Sequence, residues 1–320
     1  MKTVIATTSP VFGTVPRVQE RITANGWEFI RCVDGSREDG GMSDHLERMD
    51  VLVVGLVPAT ADCITRAPRL KAILKHGVGV DNIDIPAATR RKIPVLNAPG
   101  ANANAVAELA VGGMLSLARR IPMAHQVLVS GGWQRTVGTE IADKVLGIVG
   151  LGNIGRALSL KARALGMRVL ACDPFADKAF AATNQVKIVS LDELLQQSDY
   201  VSLHIFGGKD NTHLIGSREL ALMKPDACLM NYARGEVVDL NALAEALDRD
   251  GLRGAAIDAY ITEPPDRSHP IFASPKVVFT PHCGADTKES AERVGMMTVM
   301  DIENVLAGKR SERVLNPEIY

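Results

Sequence analysis

Three side chains of the types used in proton transfer and anion binding each follow an apolar run, where strands are predicted to end. Arg234 lies in NYARGEVVD, Glu263 in IDAYITEPPD and His282 in FTPHCGADT. An arginine offers a planar fork for a carboxylate, and a histidine titrates near neutral pH. A nearby carboxylate stabilises imidazolium and raises its pKa. Taken singly, each residue also fits an ordinary surface or loop position, so its meaning depends on what else the chain binds.

The central stretch, 144–174, indicates a binding partner for these residues. An apolar run leads into Gly150, Gly152 and Gly155, an amphipathic segment follows, and a second apolar run ends at Asp173. This pattern is typical of a strand, a tight turn, a helix and a strand. Such glycines let the backbone approach a pyrophosphate at the helix N-terminus, and the acid accepts ribose hydroxyls. The sequence therefore predicts a dinucleotide site, the alternative being a strand–helix turn that binds nothing.

The acid at the end of the second run also bears on the choice of dinucleotide. Asp173 would repel a 2′-phosphate and no arginine follows it closely, which favours NAD, although Lys178 leaves NADP open. Hydride transfer between a nicotinamide and a 2-keto acid needs a cation for the substrate carboxylate, a proton donor, and a group that tunes the donor. An arginine, a histidine and a glutamate meet these three needs.

Composition excludes several other classes of protein. The 320 residues carry a net charge of −1 without a basic stripe, which argues against nucleic-acid and membrane partners. The five cysteines are scattered without C-x-x-C spacing, so neither a disulfide framework nor a metal site is predicted. No apolar run approaches the length of a membrane span or a secretory signal. These features predict a cytoplasmic protein with reduced thiols.

Strands that alternate with helical patterns predict an α/β fold of two Rossmann-like or flavodoxin-like domains with parallel sheets. Residues 98–100 are a predicted hinge, and the pattern turns helical from residue 286 in a way that returns the chain to the first domain. The prediction is a discontinuous substrate-binding domain, 1–98 with 287–320, and a nucleotide-binding domain, 99–286. A polar, glycine-rich loop is predicted over 36–41, and the loop over 75–84 is suited to holding a small anion.

The chain resembles the D-isomer-specific 2-hydroxyacid dehydrogenases over essentially its whole length. The similar stretches occur in the same order and spacing: HGVGVDNID, NAPGANANAVAE, GIVGLGNIG with Asp173, NYARGEVVD, DAYITEPP and TPHCGADT. The layout is most like the phosphoglycerate-dehydrogenase-type members, and the end at Tyr320 predicts that no regulatory domain is added. The resemblance implies NAD-dependent interconversion of a D-2-hydroxy acid and its 2-keto acid in a cleft between the domains. It also implies a homodimer, joined through the nucleotide domain and the long helix after the hinge.

The resemblance implies a role for each site residue. His282 would be the acid/base, Glu263 would hydrogen-bond it, and Arg234 would bind the substrate carboxylate. Backbone at Val78 and Gly79, together with His282, would complete the substrate site. The cofactor residues would be Gly150, Gly152, Asn153, Ile154 and Gly155 at the pyrophosphate, Asp173 at the adenosine ribose, His204 and Ile205 in the wall of the cleft, Tyr232, Ala233 and Asp258 near the nicotinamide, and in addition His282, Gly284 and Ala285.

Two positions depart from the family pattern, and alternatives remain open. IFGGKDNTH is glycine-rich where the family commonly has proline, and Cys283 stands where an aliphatic residue is usual. A non-catalytic NAD(H)-sensing interaction protein on the same fold is the main alternative, and a different hydride donor such as formate or phosphite is a third. The substrate is left as 3-phosphoglycerate or a related small hydroxy acid, with Lys75 or His76 suited to meet a second anionic group.

Overall fold

The computed structural model describes residues 2–32 and 41–320. The chain divides into two units, one made of Met1–Asn102 with Ala285–Tyr320 and the other of Ala103–Gly284. The sequence predicts the boundaries between the two domains after residues 98 and 286. The loop predicted over 36–41 lies outside the described residues, apart from Gly41.

Strands and helices alternate along the described chain. In chain order the strands are β1 (Val4–Thr7), β2 (Glu28–Arg31), β3 (Val51–Val54), β4 (Ala72–Lys75), β5 (Val95–Leu96), β6 (Val145–Val149), β7 (Arg168–Cys172), β8 (Val186–Ile188), β9 (Tyr200–Leu203), β10 (Cys228–Asn231), β11 (Gly254–Ile257) and β12 (Val277–Phe279). The helices are α1 (Pro16–Ala24), α2 (Ala61–Thr65), α3 (Ile85–Arg90), α4 (Ala103–Arg119), α5 (Ile121–Val129), α6 (Asn153–Ala164), α7 (Lys178–Thr183), α8 (Leu191–Gln197), α9 (Ser217–Leu222), α10 (Leu240–Asp248) and α11 (Lys288–Leu306).

The first unit is built on a parallel sheet whose described strands have the order β2-β1-β3-β4-β5. Alternate residues of each strand enter two different core clusters, so both faces of the sheet are covered. The late helix α11 completes the second of these clusters with Val299 and Ile302. This unit is therefore discontinuous in sequence, because its last helix follows the whole second unit.

The second unit is built on a longer parallel sheet, whose described strands have the order β12-β11-β10-β9-β6-β7-β8. Both faces are again covered, with α4 and α6 among the elements on one of them. The strand order changes direction between β6 and β9. In open parallel sheets ligands bind at such a switch point, beyond the carboxyl ends of the strands.

The prediction of two parallel α/β sheets is confirmed. The sequence predicts helices over Ser217–Leu222 and Leu240–Asp248, and α9 and α10 have these bounds. Asp239 caps α10 by accepting from the N–H groups of Asn241 and Ala242. The sequence reading missed α2, α3, α5 and α7. Three of these are of five or six residues and show little helical periodicity, and α5 is largely apolar, with His125 and Gln126 as its polar side chains.

The lengths and composition of the helices can be compared with what a membrane span requires. Among residues 2–32 and 41–320, no helix combines the length and the apolar character that crossing a bilayer requires.

Candidate active site

The turn between β6 and α6 is open where the sequence predicts a pyrophosphate. Gly150 has a positive φ of 94°, and a Cβ there would lie 2.5 Å from the His204 carbonyl oxygen. A Cβ on Gly155 would lie 2.1 Å from the Gly150 carbonyl oxygen, so both positions need glycine. A Cβ on Gly152 would meet no described atom within 4 Å, which leaves the approach to the α6 N-terminus clear. The first N–H groups of α6, at Asn153 and beyond, therefore fit an anionic phosphate.

Asp173, at the end of β7, is held so that it can still accept hydrogen bonds. One carboxylate oxygen accepts from the N–H of Leu151 at 2.7 Å, and the other accepts from the N–H of Phe175 at 2.7 Å. Each oxygen keeps a further lone pair. The carboxylate is thus fixed against the glycine turn, and it fits the hydroxyls of an adenosine ribose.

His204 follows β9 beside this turn and is electrically neutral. Its Nε2 pairs with the Ser202 hydroxyl at 2.8 Å, and its ring stacks on that of Tyr232 with centroids 6.5 Å apart. Burial lowers the pKa of His204 to about 3. Within the described chain, its buried Nδ1 has no hydrogen-bond partner. A neutral, stacked imidazole suits the predicted wall position and not a second acid/base.

His282 and Glu263 form a close pair. His282 Nδ1 lies 2.6 Å from Glu263 Oε1, and the side chains are 35% and 26% exposed. The hydrogen bond to Glu263 is the main cause that raises the pKa of His282, with burial opposing it. Burial acts to raise the pKa of Glu263, but the hydrogen bond and charge of His282, with the Tyr260 N–H and the Arg234 charge, together outweigh it, and the pKa is lowered. An ionised Glu263 only accepts, so Nδ1 carries the donated proton and Nε2 is the nitrogen that exchanges protons.

These two shifts define a pH window in which the pair stabilises the fold. A histidine with a raised pKa contributes stability that is fully present below its ordinary pKa and is lost as pH rises through the raised value. A carboxyl with a lowered pKa contributes stability above its ordinary pKa, which is lost as pH falls through the lowered value. The charged pair therefore favours folding between the lowered pKa of Glu263 and the raised pKa of His282.

Arg234 lies close enough to act electrostatically on both members of this pair. Its charge lowers the pKa of Glu263 and opposes the rise at His282. The turn after β10 that carries Arg234 is braced by Asn231, whose side chain accepts from the Ala233 N–H at 3.1 Å and donates to the Arg234 carbonyl at 2.9 Å. The structure thus brings the three predicted catalytic residues together. The role of Asn231 was not inferred from the sequence, although an amide at a strand end is a common turn signal.

The glycine-rich loop after β9 makes room beside Arg234. A Cβ on Gly207 would lie 2.0 Å from Glu236 Oε1 and 3.2 Å from Arg234 Cγ. The departure from the family pattern at IFGGKDNTH is therefore accommodated by direct packing of Gly207 against these two side chains.

Asp258 organises the loop that carries His282. It is 3% exposed, and it accepts from the Thr280 hydroxyl at 2.6 Å, the Cys283 N–H at 2.9 Å and the Gly284 N–H at 3.0 Å. A buried carboxylate is stable only when it is bonded in this way. The sequence suggested a contact with a nicotinamide for this residue, but not its role in fixing the loop.

The predicted substrate loop belongs to the first unit. Among residues 2–32 and 41–320, the N–H groups of Val78 and Gly79 donate to no protein acceptor, while the Val78 carbonyl accepts from Asn97 at 2.7 Å. Lys75 donates to the Gly55 carbonyl at 2.6 Å and to Asn82 at 3.0 Å. These bonds hold the loop and leave two backbone donors for an anion.

His76 in the same loop is neutral. Its Nδ1 lies 3.0 Å from the Ser9 hydroxyl, and burial, aided by the charge of Lys75, lowers its pKa to about 4. His76 therefore brings no positive charge for a second anionic group. Among the residues that the structure describes, no cluster of three or more histidine, cysteine, aspartate or glutamate side chains is arranged to hold a metal ion.

Comparison with known proteins finds relatives over most of the chain. The D-3-phosphoglycerate dehydrogenase of Methanocaldococcus jannaschii is 40% identical over 277 residues, which are 85% of this chain and 53% of that protein. The hydroxypyruvate reductase of Thermotoga maritima is 38% identical over 274 residues, which are 81% of this chain and 89% of that protein. The chain spans about half the length of the curated D-3-phosphoglycerate dehydrogenases that it matches.

A solved structure and a family model complete the comparison. The structure of D-lactate dehydrogenase from Aquifex aeolicus, complexed with NAD and lactic acid, has a TM-score of 0.83 and 27% identity over 96% of each chain. Residues 111–284 match the model of the D-isomer specific 2-hydroxyacid dehydrogenase, NAD binding domain. This match covers more than half of the chain, so the chain belongs to the D-isomer specific 2-hydroxyacid dehydrogenase family, and its second unit is that family's NAD-binding domain.

Proposed function

We propose that this chain is an NAD-dependent oxidoreductase that interconverts a D-2-hydroxy acid and its 2-keto acid. The observation that carries the proposal is the 2.6 Å bond between His282 and Glu263, which raises the pKa of the imidazole. This pair lies beside Arg234 on an NAD-binding domain. A tuned proton donor next to a fixed cation is what reduction of a keto acid requires.

His282 is the proposed proton donor. When bound, the nicotinamide supplies the hydride that reaches the keto carbon. His282 in its charged form gives the proton on Nε2 to the carbonyl oxygen as negative charge develops there, and in the reverse direction neutral Nε2 takes that proton back. Glu263 stabilises the charged form and keeps the ring oriented through Nδ1.

Arg234 is the proposed ligand of the substrate carboxylate. Its guanidinium is always charged and can donate two parallel hydrogen bonds to a carboxylate. The brace from Asn231 restrains the backbone on which this side chain stands. The N–H groups of Val78 and Gly79 are proposed as further donors to the substrate.

The proposed cofactor site extends from the glycine turn along the strand ends. The turn residues Gly150 and Gly152 and the first residues of α6 would hold the pyrophosphate, with Asp173 on the adenosine ribose. The remaining proposed cofactor residues line the nicotinamide half: His204, Ile205, Tyr232, Ala233, Asp258, His282, Gly284 and Ala285.

The acid itself is proposed from the named relatives. D-3-phosphoglycerate is the first candidate, since relatives at about 40% identity are named for it, and the second is the keto acid hydroxypyruvate, for which another relative is named. A cytoplasmic location remains a prediction from composition.

A homodimer is proposed through α5 and the segment after it. No residue of α5 is buried, although the helix is largely apolar. The exposed fractions rise along this surface, from 56% at Leu128 to 87% at Trp133 and 88% at Val137. Several exposed apolar side chains along one segment suit an interaction site, and a second copy is the partner that the family resemblance implies.

Removing the proposed proton donor should sharply reduce turnover. His282 has a positive φ of 53°, which asparagine tolerates, so His282→Asn deletes the acid without straining the backbone. We expect kcat to fall about 10²- to 10⁴-fold, the usual contribution of general acid–base catalysis, with NADH binding retained. The assay is NADH oxidation with 3-phosphohydroxypyruvate, hydroxypyruvate, glyoxylate and pyruvate.

The matched control for this variant is His213→Asn. His213 also has a positive φ, of 52°, and its Nδ1 lies 3.9 Å from a carboxylate oxygen of Asp239. The activity of the His213→Asn variant should match that of the natural sequence. Normal turnover by His282→Asn, or NADH binding by the natural sequence without turnover of any acid, would contradict the proposed function.

Glu263→Gln should move the pH profile of the reaction. The variant loses the carboxylate that raises the pKa of His282, so the alkaline limb of keto-acid reduction should shift to lower pH. At a fixed pH above the pKa of His282, lowering that pKa by one reduces the protonated fraction of the imidazole about tenfold. Glu263→Asp keeps the charge and should retain part of the profile. An unchanged limb in Glu263→Gln would remove Glu263 from this role.

Arg234→Gln should weaken the interaction of the enzyme with the substrate carboxylate. Hydrogen bonds to charged groups contribute about 1.5–3 kcal/mol, so kcat/KM should fall about 10- to 100-fold. Arg234→Lys keeps the charge without the planar fork and should recover only part of the loss. Steady-state kinetics with a keto acid and with its amide, which lacks the charge, provide the measurement. An equal loss for both compounds would mean that Arg234 does not bind the carboxylate.

Trp133→Glu should separate the proposed dimer into monomers. A charge on an apolar interface would have to be buried without a partner, which is costly. Met300→Glu is the control, because Met300 is also exposed, at 45%, but lies on α11. Sedimentation velocity should give a dimer for the natural sequence and for the control. A monomer for the natural sequence, or a dimer for Trp133→Glu, would refute this interface.

A further inference from the structure

The carbonyl of Thr280 is the centre of the turn that presents His282. It accepts from the N–H of His282 at 3.1 Å, which closes a three-residue turn around Pro281. His282 then adopts its positive φ of 53°. A non-glycine residue in this region costs energy and persists only where its surroundings hold it in place.

Tyr260 is bonded to the same carbonyl. Its hydroxyl lies 2.8 Å from the Thr280 carbonyl oxygen and 3.2 Å from that of Ile257. The single hydroxyl proton therefore goes mainly to Thr280, the nearer acceptor. Burial, with the charges of Asp258 and Glu263 adding to it, raises the pKa of Tyr260 to about 12, so the hydroxyl stays a donor.

The backbone of Tyr260 also bonds to Glu263, the partner of His282. Its N–H donates to Glu263 Oε1 at 3.3 Å, and this is the same oxygen that pairs with His282 Nδ1. Tyr260 is thus bonded to Glu263 directly and to the His282 turn through Thr280.

Aromatic packing holds the ring of Tyr260 in place. It stacks on Phe272 with centroids 6.2 Å apart, and Phe272 stacks on Phe279 at 4.8 Å. Phe279 is the last residue of β12, directly before Thr280. Ring and hydroxyl therefore act on the same strand end, and such aromatic pairs favour a defined geometry.

We propose that Tyr260 is a positioning residue for the His282–Glu263 pair, acting through the Thr280 carbonyl and through its own N–H. This inference rests on the proposed function, because it assigns a role to that pair in proton transfer. In this role Tyr260 contacts neither Nε2 of His282 nor the substrate. It contributes by fixing the His282 imidazole against the Glu263 carboxylate.

Tyr260→Phe deletes the hydroxyl and keeps the ring that stacks on Phe272. The His282 turn should loosen and the bond to Glu263 should weaken, so the pKa of His282 should fall towards its ordinary value. We expect kcat for reduction to fall about tenfold, because small misplacements of a reacting group are costly, with the affinity for NADH unchanged. The alkaline limb of the pH profile should move to lower pH.

Tyr200→Phe is the matched control. Tyr200 is buried in β9, and its hydroxyl accepts from Arg253 at 2.6 Å, away from the His282 turn. This variant should lose thermal stability without any change in the pKa of His282. An equal effect of both variants on stability, with no change of pH profile in Tyr260→Phe, would overturn the proposal.

The titration of His282 decides the inference without any turnover. The imidazole signals can be followed by NMR in the natural sequence and in Tyr260→Phe, with assignment from His282→Asn. If the enzyme reduces no acid, the proposed function fails, and a lower pKa of His282 in Tyr260→Phe still supports the positioning role. An unchanged pKa overturns it.

Phe272→Leu provides a second test if Tyr260→Phe does not fold. It keeps the hydroxyl but removes the ring on which Tyr260 stacks. The pKa of His282 should fall in this variant too, and an unchanged value would contradict the proposal.

Discussion

The hydrogen bond between His282 and Glu263 is the interaction on which the rest of the site depends. At 2.6 Å it joins an imidazole to a carboxylate and moves the two pKa values in opposite directions. Opposite charges in a partly buried place favour their charged forms only while the geometry holds. Much of the nearby structure meets this demand, since Asp258 and Tyr260 both bond the segment that carries the histidine.

The parallel sheet of the second unit explains how residues far apart in sequence meet. All its described strands run in one direction, so their carboxyl ends share one edge. The glycine turn follows β6, Asp173 follows β7, the Arg234 turn follows β10 and the His282 turn follows β12. The glycine turn at the switch of strand order and the His282–Glu263 pair, proposed to transfer protons, on nearby loops are therefore products of one topology.

Buried polar groups decide the local shape of these loops. Asp258 has bonds to one hydroxyl and two N–H groups, and Asn231 bonds both sides of the turn before Arg234. A buried carboxylate or amide is stable only when its hydrogen bonds are made, so these residues hold the loop backbone to narrow limits. The loops that carry the proposed catalytic groups are thereby rigid, as reaction geometry would demand.

The sequence by itself determined the parallel α/β fold, the glycine turn with its acid, and the candidate residues at the strand ends. These features are local: apolar runs, glycine spacing and a side chain after a strand are written in neighbouring residues. The short helices α2, α3 and α7 show too little periodicity to be predicted, and α5 is largely apolar, so its polar residues mark no clear face. Only the tertiary structure decided that Glu263 and His282 share a hydrogen bond, that His204 and His76 are neutral, and that Asp258 and Tyr260 hold the His282 turn. Each of these depends on distances between strands that the chain order does not contain, and on burial, which shifts a pKa only once the surrounding residues have packed.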